Sequence, residues 1–299
     1  MKKFGLVLLV CLFMFMSIPC VFAAGHFYGG FEGANEVTDL PSGFTYKMYN
    51  QIYYSDVFKD KNGNSIGSKF DTLSYRETNR LFYVSDFKIL GAKYAASLSL
   101  PIVYNDVNLL GANQNRFNIG DIFVEPFMLL WNTPQFDAFA SLGLFAPTGE
   151  FDPNNAASTG TGAWGGMFSA GATYYFDVAR EWFATATARY EMDSDRRDID
   201  LRDGDMMYFD YGFGKVFPFG DGCRNKFLVG ANGYSVIQVT DSVGKASTDL
   251  REQNFGAGPS LGVYLADYKL TVNAKTFFEF GAANHSEGYL TMLSVTKSF

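Results

Sequence analysis

Residue types that could carry catalysis or bind a metal are scarce and scattered along the 299-residue sequence. Its two histidines, His26 and His285, lie far apart, whereas a metal site needs several converging ligands. The acidic stretch 193–205 holds six aspartates but lacks the ordered spacing and the glycine position of an EF-hand loop. We interpret that stretch as a solvated loop. Whether it binds a divalent cation stays open, and the pattern predicts no metal site and no cofactor.

An enzyme hypothesis comes from two short stretches. Residues 76–79 (RETN) and 284–286 (NHS) superficially resemble those of outer-membrane phospholipases. That family needs its histidine and serine two residues apart, on the same strand face. His285 and Ser286 are adjacent, so a strand would point them to opposite faces. The sequence therefore predicts a protein that is not an enzyme.

A third set of residues shares one face of the predicted strands and is charged or aromatic. Buried charges of both signs need partners. One interpretation is that they form pairs that hold a protein interior together. The other is that they line a path for small amphipathic molecules. The candidates are Asp121, Phe123, Glu125, Phe127, Arg189, Glu191, Asp210, Tyr264, Lys275 and Glu279.

These candidates are positioned by runs of alternating residues. In 137–144, apolar Ala138, Ala140, Leu142 and Leu144 alternate with polar, small or aromatic residues, which is typical of a strand with two unlike faces. Pro126 lies inside one run, where it removes a ladder donor, so we expect a bulge there. The predicted strands are 43–54, 73–84, 92–104, 118–130, 136–146, 166–176, 182–192, 206–216, 226–239, 255–265, 268–280 and 288–299.

The connections between these runs favour a membrane barrel over a soluble β-sandwich. Links after even-numbered runs are short, whereas most links after odd-numbered runs are long and polar, including 105–116 and 148–162. Outer-membrane barrels show this alternation, with about ten residues per crossing and aromatic residues near strand ends. The mean hydropathy of −0.03 suits a barrel with a polar lumen. The prediction is an all-β, transmembrane, antiparallel up-and-down β-barrel of about 12 strands, covering 43–299.

The first residues are typical of a secretory signal peptide, predicted as residues 1–23. Lys2 and Lys3 precede an apolar run, and Ala23 ends a small-residue cleavage pattern.

The net charge of the whole chain is −7, which argues against nucleic acid as a partner. Cleavage would leave Cys223 as a lone cysteine in a turn. Residues 24–42 are irregular and glycine-rich, and could form a small plug, a periplasmic tail or a short interfacial helix.

Several stretches together resemble a known family. GDIFVEP (120–126), LGLFAPTGEFD (142–152), TGTGAWGGMFSAGATYYF (159–176) and MYFDYGFGKVF (207–217) occur in the order seen in the MetA-pathway family of phenol degradation, a group of outer-membrane transporters. The resemblance implies a porin-like channel of the Gram-negative envelope for uptake of small hydrophobic or aromatic compounds. It supplies no site residues. A structural or surface-interaction barrel with a filled lumen remains the alternative.

The predicted location sets the expected partners. We expect outer-membrane lipid and lipopolysaccharide around the barrel. We also expect the barrel-assembly machinery to act on the C-terminal strand, which ends in Phe299.

Overall fold

The computed structural model describes residues 25–32, 40–66, 69–248 and 250–299. The predicted signal peptide 1–23 and residues 33–39 of the irregular segment lie outside the described residues. Over the described ranges, no helix is long and apolar enough to cross a membrane.

The described chain forms one antiparallel sheet in which sequence neighbours pair and the last strand pairs with the first. The strands are β1 (Gly43–Ser55), β2 (Phe70–Ile89), β3 (Ala92–Leu109), β4 (Ala112–Ile119), β5 (Ile122–Asn132), β6 (Phe136–Ala146), β7 (Gly165–Tyr175), β8 (Trp182–Asp193), β9 (Met206–Phe219), β10 (Asn225–Gln238), β11 (Gln253–Leu265), β12 (Leu270–Ala283) and β13 (Tyr289–Ser298). Both β4 and β5 pair with β3, so they are two halves of one wall strand, interrupted at Gly120 and Asp121. Counted this way, the described strands close a 12-stranded barrel, and the predicted fold class is confirmed.

The outer surface of the barrel is apolar. On β6, Leu142 and Leu144 are 54% and 55% exposed, whereas Phe139 and Phe145 on the opposite face are buried. Exposed rings lie near the strand ends, among them Trp164, Phe176, Trp182, Phe217, Phe280 and Phe299. An apolar band between aromatic girdles is the surface that a bilayer covers, so the alternating pattern reflects lipid on one side and the barrel interior on the other.

The predicted long link after the third run is wrong. Strands β3 and β4 continue as a hairpin, and its turn is Leu110–Gly111, both with positive φ (54° and 88°). The polar residues of this hairpin bind a neighbouring loop: Asn105 Nδ2 donates to the Ser158 carbonyl (3.0 Å) and Gln114 Nε2 to the Asn154 carbonyl (3.0 Å). Composition alone indicated a loop because the hairpin carries polar side chains that bind the neighbouring loop, and β4 is largely exposed.

The bulge expected at Pro126 is present, and it reverses the predicted orientation of the residues after it. The pairing register shifts between Val124 and Phe127 on the β6 side and between Ala95 and Ser97 on the β3 side. One extra residue moves every following side chain to the other face. Phe127 is therefore 38% exposed on the outer wall, and Met128 is buried. The prediction of Phe127 as a lumen residue is wrong for this reason.

The ambiguous register of the second run is settled by its pairing with β1. Arg80 is buried, and Arg76 lines the interior cavity described below. Glu77 lies on the outer wall. There its carboxylate accepts a hydrogen bond from Asn79 Nδ2 (2.9 Å), and Asn79 in turn binds the Tyr46 hydroxyl.

Candidate functional site: the barrel lumen

Residues 25–32, called the lumenal segment below, lie inside the barrel. The His26 backbone N–H donates to Glu191 on β8 (2.6 Å), and the Gly30 N–H donates to Asp210 on β9 (2.7 Å). Lys275 on β12 donates to the Phe31 carbonyl (3.0 Å). Because these three wall residues are on inner faces of separate strands, the segment crosses the space that they enclose.

His26 and Leu40 lie towards opposite ends of the barrel. His26, near the start of the lumenal segment, lies beside Asp193, where β8 ends and a long connection begins. Leu40 packs with Phe82 and Val84, close to the short β2–β3 turn at the opposite end. Short turns are periplasmic in outer-membrane barrels, so His26 lies towards the outer mouth and Leu40 towards the periplasm.

Five alternating charges cross the lumen in one connected chain. Glu32 of the lumenal segment is at its centre and binds two arginines: Arg80 Nη1 donates to Glu32 Oε1 (2.9 Å), and Arg189 Nη2 donates to Glu32 Oε2. Arg80 also binds Glu125, and Arg189 also binds Asp210 (2.8 Å). All five side chains are at most 10% exposed. Each charge therefore has the opposite-sign partner that burial requires.

A cavity of about 310 Å³ remains between the lumenal segment and the wall. Its lining is rich in rings. The His26 ring stacks on Phe145 (4.7 Å between centroids), and Phe145 stacks on Phe123 (4.2 Å). Across the cavity, the Arg76 guanidinium lies 4.0 Å over the Tyr28 ring. The cavity thus offers aromatic faces for stacking, with polar groups between them.

The connection 147–164 folds over this cavity. The sequence predicts a long polar link over 148–162, and in the structure Asp152, Asn155 and Ser158 of this stretch line the cavity. Asp121, at the break between β4 and β5, holds it in place by accepting from the Gly149 N–H (2.9 Å) and the Thr161 N–H (2.8 Å). Interruption of the wall strand thus places a carboxylate where it anchors the loop that narrows the lumen.

Comparison with known proteins agrees with this architecture. The family described as the MetA-pathway of phenol degradation matches residues 55–295. The chain belongs to this family. No curated protein matches the sequence.

Solved structures with a similar fold include the following two. One is an outer membrane channel from Pseudomonas putida F1, with a TM-score of 0.73 and 14% identity over 89% of this chain and 99% of that chain. The other is the β domain of the Bordetella autotransporter BrkA, with a TM-score of 0.57 and 13% identity over 87% of this chain and 100% of that one. These likenesses establish the fold, a closed antiparallel β-barrel. Together with the family match, the barrel places this protein in the bacterial outer membrane.

The ten sequence-predicted candidates fall into four groups in the structure. Asp121, Phe123, Glu125, Arg189 and Glu279 line the cavity. Glu191, Asp210 and Lys275 bind the lumenal segment. Tyr264 shares its face with the buried Ser260 but lies at the periplasmic end of β11, away from the cavity, and Phe127 is on the outer wall. Their part in a substrate path is a proposal, taken up below.

Sequence reasoning missed His26, Glu32 and Arg80. His26 and Glu32 are in an irregular segment without periodicity, and Arg80 was in a run of ambiguous register. The only available signal was their rarity: one of two histidines, and two charges close to otherwise apolar stretches.

The stretch behind the enzyme hypothesis forms no serine–histidine pair. The Ser286 hydroxyl binds the Tyr53 hydroxyl (2.7 Å). The His285 ring instead contacts Asn254 Nδ2 (3.3 Å) and the Ser286 carbonyl (2.7 Å). Tyr53 and Tyr234 both donate to Glu279 (2.9 and 2.5 Å). This cluster braces the wall near the outer mouth.

Proposed function

We propose that the protein is an outer-membrane channel for small hydrophobic or aromatic compounds, and that the lumenal segment is its plug. The observation that carries the proposal is the ring-lined cavity inside a closed barrel. It is supported by the similarity to an outer membrane channel and by the family description, which names phenol degradation.

The lining suits a flat apolar solute. Ligand pockets of about 300–1,000 Å³ hold small organic molecules, and the cavity of about 310 Å³ is at the lower end of that range. Aromatic rings bind one another best in offset or edge-to-face contacts, which Phe123 and Tyr28 can offer a passing ring. The charges next to them are paired, so they compete little for the solute. Passage needs the plug to move, because it lies across the lumen.

Uptake tests this proposal directly. Radiolabelled phenol and toluene are supplied to cells with and without the protein, and a sugar of similar mass serves as the polar comparison. Faster uptake of the aromatics, dependent on the protein, is expected. Equal rates in the two strains would refute the proposal.

A second candidate is a structural or surface-interaction barrel whose lumen stays filled. The chain of five buried charges favours it, since that chain ties the lumenal segment to opposite walls. Conductance of the purified protein in planar bilayers separates the two. Discrete channel openings support transport, whereas a silent barrel that is demonstrably folded supports the filled lumen.

Transport is proposed here rather than catalysis, and it requires no cofactor. Incubation of the purified protein with phospholipid vesicles is expected to release no fatty acid. Release that disappears in Ser286→Ala would overturn this part of the proposal.

The surroundings of the barrel are proposed from its surface. Its apolar wall supports outer-membrane lipid and lipopolysaccharide as neighbours.

The C-terminal Phe299, 69% exposed beside β13, is proposed as the residue that the barrel-assembly machinery recognises. Phe299→Ala should lower the amount of folded barrel in cells while leaving folding into detergent unchanged. Phe280→Ala, another exposed ring, is the matched control, and equal levels of the two variants would contradict this assignment.

A further inference from the structure

Three side chains with metal-binding atoms converge where the lumenal segment meets the end of β8. His26 Nδ1 lies 2.9 Å from Glu191 Oε1 and 3.2 Å from Asp193 Oδ1. The ligand-type atoms of the three residues all lie within 4.8 Å of one another. The side chains are 1%, 0% and 2% exposed, in that order, so this is an enclosed cluster rather than a group of surface acids.

The imidazole is oriented as a metal ligand would be. Its other nitrogen, Nε2, lies 3.0 Å from the Ala163 carbonyl and 2.7 Å from Thr161 Oγ1, whose hydroxyl donates to Asp121 (3.1 Å). A carbonyl only accepts and the Thr161 proton is directed at Asp121, so Nε2 carries a proton and Nδ1 is the nitrogen that faces Glu191 and Asp193. Histidines that bind metals commonly donate their second N–H to a backbone carbonyl or a carboxylate, which fixes the ring.

One buried oxygen of the two carboxylates, Asp193 Oδ1, lacks a hydrogen-bond donor. If Nδ1 also carries a proton, that single N–H faces both Glu191 and Asp193. Glu191 also accepts from the backbone N–H groups of His26 (2.6 Å) and Phe27 (3.3 Å), whereas buried Asp193 Oδ1 has no hydrogen bond, only its 3.2 Å approach to the ring. Burial of such an atom without a compensating partner costs free energy, so the site is short of positive charge at this oxygen.

The charges around His26 also indicate that the site is short of positive charge. A third carboxylate, Asp121, lies 3.5 Å from Nε2. The nearby guanidinium of Arg196 binds Asp203 (2.5 Å). One imidazolium against three carboxylates leaves two negative charges. A divalent ion in place of the Nδ1 proton leaves one, on Asp121, which accepts hydrogen bonds from the Gly149 and Thr161 backbone N–H groups.

We propose that His26 Nδ1, Glu191 and Asp193 bind a divalent transition-metal ion and thereby clasp the lumenal segment to the wall. One imidazole nitrogen and two carboxylates form a donor set that suits Zn²⁺ and its neighbours, whereas Ca²⁺ and Mg²⁺ prefer oxygen ligands alone. The site could not be predicted from the sequence, because His26 and Glu191 are 165 positions apart. Metal binding is independent of the proposed transport; only its effect on conductance rests on that proposal.

The test uses the full mature protein folded in detergent, with Co²⁺ and Zn²⁺ as probes. We expect one ion per chain, with a visible Co²⁺ absorption band that Zn²⁺ displaces. His26→Ala and the nearly isosteric Asp193→Asn should each weaken binding by at least the ~10–100-fold that loss of an outer partner of a metal ligand costs. His285→Ala removes the other histidine and should bind as the wild type does.

Each outcome decides the proposal. Absence of stoichiometric binding to the folded wild type, or equal affinity in His26→Ala and His285→Ala, overturns the site. Heat-modifiability on gels shows whether each variant is a folded barrel, and Asp193→Asn serves if His26→Ala is not. In planar bilayers, Zn²⁺ should lower channel opening in the wild type but not in Asp193→Asn. Binding without this effect would overturn the clasp, and a silent wild type would instead count against transport.

Discussion

Neutralising Glu32 should release the lumenal segment. Its two carboxylate oxygens bind Arg80 and Arg189 and form the centre of the charge chain. Glu32→Gln keeps the side-chain length and removes the charge. The two arginines keep Glu125 and Asp210 as partners, so the wall stays paired, and the loss falls on the contact between the segment and the wall.

The size of the effect follows from burial. The Glu32 side chain is 4% exposed, so solvent screens its ion pairs little. Each arginine keeps a carboxylate partner, so the loss is that of hydrogen bonds between charged groups, about 1.5–3 kcal/mol. This corresponds to about one to two powers of ten in the equilibrium between docked and released segment. The barrel should stay folded, because the hydrogen bonds of its strands do not involve Glu32.

Single-channel recording in planar bilayers measures this equilibrium. We expect Glu32→Gln to open more often, and to a larger conductance, than the wild type. Asp267→Asn is the matched control, since Asp267 pairs with Arg224 on the exposed surface (2.9 Å, with both side chains at least 65% exposed), where such a pair contributes little. Identical conductance of folded Glu32→Gln and wild type would refute the reasoning.

Three further predictions concern the wall and the loop over the cavity. Phe123→Leu, inside the barrel, should slow flux of phenol into proteoliposomes, whereas Phe127→Leu on the outer face of the same strand should not; equal effects would contradict the ring-lined path. Gly149→Ala should loosen the loop 147–164 and hasten its proteolysis, because a Cβ there would lie 2.6 Å from the backbone of the facing loop segment, whereas Gly166→Ala, with 3.9 Å to its nearest neighbour, should be tolerated. Leu142→Arg places a charge on the lipid face and should lower the free energy of unfolding in liposomes by about 2–4 kcal/mol, and an unchanged urea midpoint would show that this face does not meet lipid.

Much of the barrel wall could be predicted because a strand has a period of two. Each run of alternating residues identified a strand and its two faces, and Leu142, Leu144, Phe139 and Phe145 lie on the predicted sides. The prediction of strand faces failed where a β-bulge added a residue to one strand. The bulge at Pro126 adds one residue and reverses Phe127 and Met128. Its presence was predictable from proline chemistry, but its effect on the register was not, because that depends on both neighbouring strands.

Composition misled where polar strands contact protein. The stretch 105–116 is rich in Asn and Gln and indicated a loop, yet it is a hairpin whose side chains bind the connection 147–164. A polar strand and a polar loop have the same composition, and only the neighbouring chain distinguishes them.

The sequence by itself determined most of the strands, their inner and outer faces away from the bulge at Pro126, and the location in a membrane, because these depend on residues that are neighbours in the chain. Tertiary structure alone decided what occupies the lumen. Glu32 meets Arg189 across 157 positions, and His26 meets Glu191 across 165. Closure of the barrel sets these distances, and the lumenal segment that supplies His26 and Glu32 has no periodicity from which its path could be inferred.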